Sequence, residues 1–348
     1  MKYMKTATAF AAAALVLVSA CTTPASPTSP SAAPGGSESP AQPPAGDITM
    51  TILPKNLGNP YFETSTKGAE AAAAELGVKT ELVGPTDAAA DAQVPYIQTA
   101  TQQKVGAIQL SANDQTALCD AVKAAQAAGV KVVTFDSDAP GCRDLFINQA
   151  TSEGISKVLV EMAVDQAGGS GEIAILSATA NATNQNAWID GMKETLAASH
   201  PDIKLVDVVY GDDQDQKSFD ETQALIQKYP NLKVIVAPTT VGIAAAARYI
   251  STSDAKGKVL VTGLGTPNDM RTFVEDGTVK EFALWNPEDL GYLTTYAAAA
   301  LVKGEITGKE GDKFTAGKLG DYTVGADSTV LLGDPYKFNA ENIANFNF

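Results

Sequence analysis

The sequence predicts an α/β fold in which parallel sheets are covered by helices on both faces, and three observations carry that expectation. Short β-rich runs alternate with stretches of helical period from residue 48 onward. The runs are apolar throughout instead of alternating apolar with polar, as strands buried on both faces should be. Glycines such as Gly77 and Gly129 close the helical stretches, where a left-handed C-cap is wanted. Alternation of this kind builds βαβ units. Residues 48–348 exceed the ~100–200 residues of a single domain, so two lobes are expected.

The chain opens with a segment outside that fold. Lys2 and Lys5 precede an apolar run at 7–20, too short and too alanine-rich for a comfortable membrane span. Residues 1–20 therefore read as a signal peptide. The run ends in Val18-Ser19-Ala20-Cys21, which resembles the lipobox of bacterial lipoproteins, with Cys21 as the acylated residue; a buried structural cysteine is the plainer alternative. Residues 22–47 hold no large apolar side chain and are rich in Pro, Ser, Gly and Ala, so 21–47 reads as an anchor followed by a semi-extended spacer. The rest of the chain is expected outside the cytoplasm, lipid-anchored to the cell membrane.

Strand-like runs follow at 48–53 (ITMTIL), 80–84 (TELVG), 107–111 (AIQLS), 131–138 (KVVTFDSD) and 173–177 (IAILS). More stand at 204–210 (KLVDVVY), 234–238 (VIVAP), 258–265 (KVLVTGLG) and 281–285 (EFALW). Helical period marks 61–77, 115–129 and 185–199 between them.

Charge narrows the partners. The chain carries 40 acidic and 25 basic residues, net −15; without the two leader lysines it is 40 against 23, net −17. A basic footprint for nucleic acid is missing, and broad adhesion to anionic lipid is disfavoured. A neutral small-molecule ligand fits better. Cys119 and Cys142 are an even pair in an oxidising compartment. They are either two buried thiols or a disulfide closing a loop of roughly two dozen residues, worth about 3 kcal/mol. Their spacing has no metal signature, and no metal or cofactor is expected.

Open parallel sheets bind ligands beyond the carboxyl ends of their strands. The side chains there are polar and aromatic: Lys55 through Phe62, Ser111 through Asp114, Asp136 through Asp138, Ser177 to Gln185, Pro238 to Thr240, and Trp285-Asn286. Carboxylates accept from sugar hydroxyls, amides donate and accept, and rings pack on the C–H face of a sugar. Singly, each has another use: Asn113 and Asp114 can cap a helix, and Tyr61, Phe62 or Trp188 can be core.

Several long stretches resemble a known family. They are PKNLGNPYF (54–62), VVTFDSDAPGCRDLFINQA (132–150), SATANATNQNAW (177–188), YPNLKVIVAPTTVG (229–242), TGLGTPNDMR (262–271), GTVKEFALWNPEDLGYL (277–293) and FNAENIANFNF (338–348). They are similar to type I periplasmic binding proteins of the ribose-binding class, in the branch that holds rhamnose-binding and autoinducer-2-binding proteins. The resemblance spans essentially everything after residue 48. It implies two doubly wound lobes joined by three hinge crossings, near Phe146-Ile147-Asn148, near Trp285-Asn286 and in the 320s. The lobes would be 48–147 with about 286–320, and 148–285 with about 321–348. It also implies the Cys119–Cys142 disulfide, and a monomer that delivers a monosaccharide to the permease subunits of an ABC importer.

In the autoinducer-2 branch the ligand is held by a Lys, an Asp, an Asp-Gln pair, a Pro and an Ala. Lys55, Asp136, Gln185 and Pro238 match, while Asn184 stands for the Asp of the pair and Thr240 for the Ala. Losing a carboxylate and gaining a hydroxyl points away from the signalling ligand. TANATNQNAW, PTTVG and FALWNPEDLGYL look instead like the rhamnose branch, so L-rhamnose is expected and autoinducer-2 is the alternative. Asn59, Phe62, Trp188 and Asn286 join the ligand set by position. Asp138 either joins it or pairs with Arg143 near the hinge.

Enzymatic readings find less support. The single histidine, His200, precedes Pro201 at a helix end, and neither a G-x-S-x-G elbow nor H-E-x-x-H is present. Gly263-Leu264-Gly265 lacks the third glycine of a dinucleotide loop. Asp136 and Asp138 are paired carboxylates, which bind sugar hydroxyls as readily as they hydrolyse a glycoside; a glycoside-processing enzyme is the more distant alternative. A repressor of the same core conflicts with the signal peptide and the missing DNA-binding head, whereas presentation of bound sugar to a sensor stays open.

Overall fold

The computed structural model describes residues 48–348. The expected signal peptide, the acylated Cys21 and the spacer lie outside the described residues.

The strands are β1 (Thr49–Leu53), β2 (Lys79–Leu82), β3 (Ala107–Leu110), β4 (Lys131–Phe135), β5 (Leu145–Asn148), β6 (Gly171–Ser177) and β7 (Ile203–Tyr210). They continue with β8 (Leu232–Ala237), β9 (Leu260–Gly263), β10 (Glu281–Leu284), β11 (Lys313–Thr315), β12 (Asp321–Thr323), β13 (Thr329–Leu331) and β14 (Tyr336–Asn339). The helices are α1 (Pro60–Leu76), α2 (Ala90–Gln103), α3 (Cys119–Ala127), α4 (Ser152–Ala167), α5 (Thr183–Ser199), α6 (Asp215–Lys228), α7 (Thr240–Ser251), α8 (Pro267–Glu275) and α9 (Pro287–Val302).

One sheet runs β13-β5-β4-β3-β1-β2 with every neighbouring pair parallel. The other runs β7-β6-β8-β9, also parallel. A parallel bridge from Leu264 to Ala283 extends it to β10, and β14 lies antiparallel to β10. The apolar runs of β1, β3, β4, β6 and β8 are buried on both faces, whereas β2, an edge strand, is polar and largely exposed. Strand order reverses between β1 and β3 in one sheet and between β6 and β8 in the other. Such switch points leave a crevice beyond the strand ends.

Helix boundaries follow local chemistry. Asn59 caps α1 by accepting from the Tyr61 N–H at 3.1 Å, Pro60 occupies the first turn, and Gly77 closes the helix at φ 66°. Asn286 caps α9 in the same way. Buried residues occupy nearly every face of α9, the mark of a helix enclosed on all sides. It packs on α1 at backbone contact: a Cβ on Gly68 would strike the Glu288 carbonyl, and one on Gly291 the Ser65 carbonyl. Thr295 donates to Gln109 Oε1 at 3.1 Å and so ties α9 to β3. Cys119 and Cys142 are disulfide-bonded, with Cα atoms 5.3 Å apart.

Three features differ from, or add to, the reading of the sequence. The third passage of the chain between the sheets comes later than the 320s. β12 pairs with β11 outside the first sheet, but β13 pairs with β5 within it, so the chain leaves that sheet only after Leu331. His200 ends α5, its N–H donating to the Leu196 carbonyl at 2.9 Å. Gly263 sits at φ 148°, where an added Cβ would strike the Ala237 carbonyl, so this glycine serves the close approach of β9 to β8. Among the described residues no helix is long and apolar enough to cross a membrane, and no His, Cys, Asp and Glu cluster could hold a metal ion.

Candidate ligand-binding site

The loops leaving the two switch points line one cavity of about 360 Å³. The first sheet contributes Lys55 after β1, Asn59, Tyr61 and Phe62 at the start of α1, and Asp136 after β4. The second contributes Asn184, Gln185 and Trp188 from α5, Asp213 after β7, and Pro238 to Thr240 between β8 and α7. Leu264, Leu284 and Trp285 complete the wall.

A polar network crosses the cavity between the sheets. Lys55 Nζ donates to Asn184 Oδ1 at 3.0 Å and stands 3.6 Å from Asp136 Oδ2. Ser111 donates to the same Asp136 oxygen at 2.8 Å. Asn184 Nδ2 reaches the Asp136 carbonyl at 3.3 Å and Asp136 Oδ1 at 3.5 Å. An aspartate at position 184 would oppose Asp136 carboxylate to carboxylate; the amide can donate to it instead. Gln185 Oε1 accepts from Ser177 Oγ at 3.4 Å and from the Ala178 N–H at 3.3 Å. Its Nε2 has no partner among the described residues and remains a donor for the cavity.

An aromatic cluster adjoins this network. Tyr61 packs edge-on against Phe62 and Trp285, with centroids 5.1 and 6.0 Å away, and Trp188 meets Trp285 at 6.0 Å. Trp285 Nε1 donates to the Tyr61 hydroxyl at 2.9 Å. Burial, reinforced by the neighbouring Asp136 charge, pushes the Tyr61 phenol well above its ordinary range, so it stays a neutral hydroxyl. Burial likewise raises the Asp213 carboxyl; Asp136 and Asp212 act in the same direction, and the hydrogen bond from Thr239 (2.6 Å) and the Lys55 charge oppose them.

Asp136, Asp212 and Asp213 all hold left-handed backbone, with φ of 60°, 54° and 51°. Such conformations are uncommon outside glycine and cluster where a site needs them. The cavity therefore presents one cation and two carboxylates, amide donors and acceptors, hydroxyls and ring faces. That set suits a neutral, polyhydroxylated ligand.

Nine of the residues expected from the sequence line this cavity: Lys55, Asn59, Phe62, Asp136, Asn184, Gln185, Trp188, Pro238 and Thr240. Two do not. Asp138 is held by Arg143, with bonds of 3.0 and 2.9 Å, and by the Thr134 hydroxyl. Arg143 also donates to the Asp327 carbonyl at 2.7 Å, so this pair secures the chain just before β13. Asn286 has its amide committed to capping α9, accepting from Glu288 N–H at 3.0 Å and donating to Asp289 at 2.9 Å. Both are correctly placed at strand ends, but nearer partners occupy them.

Tyr61, Thr239 and Trp285 stood among the strand-end side chains but outside the expected ligand set, and Asp213, Leu264 and Leu284 were in neither. Asp213 follows the run VVY at 208–210 and was open to the same strand-end rule; the apolar lining residues carried no signal beyond core.

A family model described as a periplasmic binding protein domain matches residues 50–306. A sugar ABC transporter from Actinomyces odontolyticus is 52% identical, with 86% of this chain and 98% of that one covered and a TM-score of 0.70. An ABC transporter solute binding protein from Clostridium phytofermentas with bound L-rhamnose is 39% identical over 87% and 98% of the two chains, with a TM-score of 0.84. LsrB from Clostridium saccharobutylicum, in complex with AI-2, is 27% identical over 86% and 100%, with a TM-score of 0.82.

Proposed function

Since the chain belongs to the periplasmic binding protein family and is a substrate-binding protein, not an enzyme, we propose that it is the lipid-anchored binding subunit of a bacterial sugar importer and captures L-rhamnose between its two sheets. The observation that carries this reading is the cavity wall itself. Lys55 and Asp136 from one sheet meet Asn184 from the other, with Gln185, Tyr61, Trp188 and Trp285 completing the lining. A monosaccharide satisfies such a wall by exchanging its hydroxyls with both sheets at once. The rhamnose-bound relative supports the choice of sugar, as does Asn184, which removes a carboxylate that the signalling branch retains.

The mechanism follows from the topology. Residues 48–148 with 286–331 form one lobe, and 149–285 with 332–348 the other. Closing them buries the sugar, and each hydrogen bond strengthens as water leaves. Ligand thereby shifts an open–closed equilibrium, and the permease engages the closed form. Acylation of Cys21 supplies the anchor: each buried CH₂ contributes ~0.8 kcal/mol, and stable anchoring takes more than one chain.

Both tryptophans of the chain line the cavity, so ligand entry reads out in intrinsic fluorescence. Titration of the purified full chain with L-rhamnose should change the emission saturably, with the sugar recovered unaltered. A flat response to rhamnose and other deoxyhexoses, with a response to autoinducer-2 alone, would replace sugar import with signal uptake.

A further inference from the structure

We propose that the sugar cavity opens into a second subsite shaped for a neutral substituent, so that the protein takes up rhamnosides or short rhamnose-terminated saccharides as well as the free sugar. This rests on the sugar-binding reading above and extends it.

Beyond Asn59, Asp213 and Thr240 lies a second compartment of about 1,020 Å³, and these three residues line both spaces. The outer compartment, which merges with open solvent, is the larger of the two. A ring seated against Lys55 and Asp136 would thus have room for a second ring beside it. One wall is the Asn56-Leu57-Gly58 turn after β1, the other the face of α7 that carries Val241 and Ala244, with Phe273 of α8 alongside.

The compartment holds an unanswered polar group. Asn56 is only 7% exposed, its Oδ1 has no hydrogen-bond partner, and its side chain makes no bond among the described residues. A buried amide left this way costs free energy unless a partner arrives. The turn that carries it is pinned, because the Leu57 N–H donates to the Pro85 carbonyl at 2.8 Å. With its Oδ1 shut off from solvent in this fixed turn, Asn56 meets an incoming group through its Nδ2, which donates to no described residue.

Charge selects the substituent. The single cation in this wall, Arg248, is paired with Asp215 and lies 4.4 Å over the Phe219 ring. Asp269 takes the Thr266 hydroxyl at 2.6 Å, and Asp213 that of Thr239. No cation is left for a phosphate or carboxylate, while the carboxylates and Asn56 suit hydroxyls. Leu57, Val241, Ala244 and Phe273 offer apolar surface for the C–H face of a ring or for an aglycone.

The test is a fluorescence titration of the full chain with L-rhamnose, methyl α-L-rhamnoside and a rhamnose-terminated disaccharide. The disaccharide should bind at least as tightly as rhamnose. Ala244→Tyr, which fills the outer compartment, should weaken the disaccharide by about tenfold or more while rhamnose binding is kept. Rhamnose binding without disaccharide binding would overturn the second subsite and leave the monosaccharide reading standing. Loss of both ligands from the wild-type chain would remove both readings. If Ala244→Tyr does not fold, Asn56→Ala answers the same question, since that side chain holds nothing in place: a loss confined to the disaccharide supports the subsite, and unchanged affinity for both ligands overturns it.

Discussion

Asp136→Asn is the substitution that separates charge from shape at the centre of the cavity. Asparagine tolerates the left-handed backbone at φ 60° about as well as aspartate, so the turn after β4 should keep its path. Its carbonyl oxygen can take the place of Oδ2, still accepting from Ser111 and standing near Lys55, but the NH₂ then takes the place of Oδ1 and faces the Asn184 amide, donor against donor. The ligand loses an ionised acceptor on Oδ1, which the protein itself occupies only through the Asn184 amide at 3.5 Å. A hydrogen bond to a charged group contributes about 1.5–3 kcal/mol. At ~1.4 kcal/mol per tenfold, rhamnose affinity should fall roughly 10- to 150-fold. Calorimetric titration measures the loss, and circular dichroism with a thermal melt shows that the variant is folded. Wild-type affinity in a folded Asp136→Asn protein would refute the assignment of Asp136 to the ligand.

Three further outcomes follow from the same geometry. Cys142→Ser opens the disulfide, whose sequence separation is 23, and should lower the unfolding free energy by about 3 kcal/mol in urea; no change would mean the loop is held by its other contacts. Asp213 is pushed above the ordinary carboxylate value, mainly by burial, so between about 3.9 and its raised folded value the native state binds the extra proton. Its stabilising contribution is therefore full below the unfolded value and is lost as pH rises through the folded one. Asp213→Asn should melt above wild type at neutral pH, with the gap closing on acidification; a gap that does not vary with pH would contradict this. Gly291→Ala drives a methyl group onto the Ser65 carbonyl across the α1–α9 contact, and such overpacking costs about 1–3 kcal/mol, read as a lower melting temperature. An unchanged melt would show that the helices separate freely.

Much of the fold was legible because its signals are local. Apolar runs marked β1, β3, β4, β6 and β8, and Gly77 and Gly129 marked the ends of α1 and α3. β13 and β14 were not legible. Three or four residues with mixed burial become strands only because β5 and β10 stand ready to pair with them, and those partners are far away in the chain. The boundary in the 320s failed for that reason.

The site divides along the same line. Strand-end chemistry pointed to Lys55, Asp136, Asn184 and Gln185, because a parallel sheet delivers those positions to its crevice. Asp138 and Asn286 obey the same rule, yet Asp138 takes the pairing with Arg143 that stood as its alternative, and the Asn286 amide caps α9. Whether a carboxylate or amide at a strand end is available to a ligand depends on competing partners, here Arg143 and the first turn of α9. By itself, then, the sequence determined the two-layered α/β pattern and the kinds of group that meet the ligand. Only the tertiary structure decided which groups are available, since bonds such as Lys55 to Asn184 join residues 129 positions apart, and hydrogen-bond competition is settled by neighbours in space.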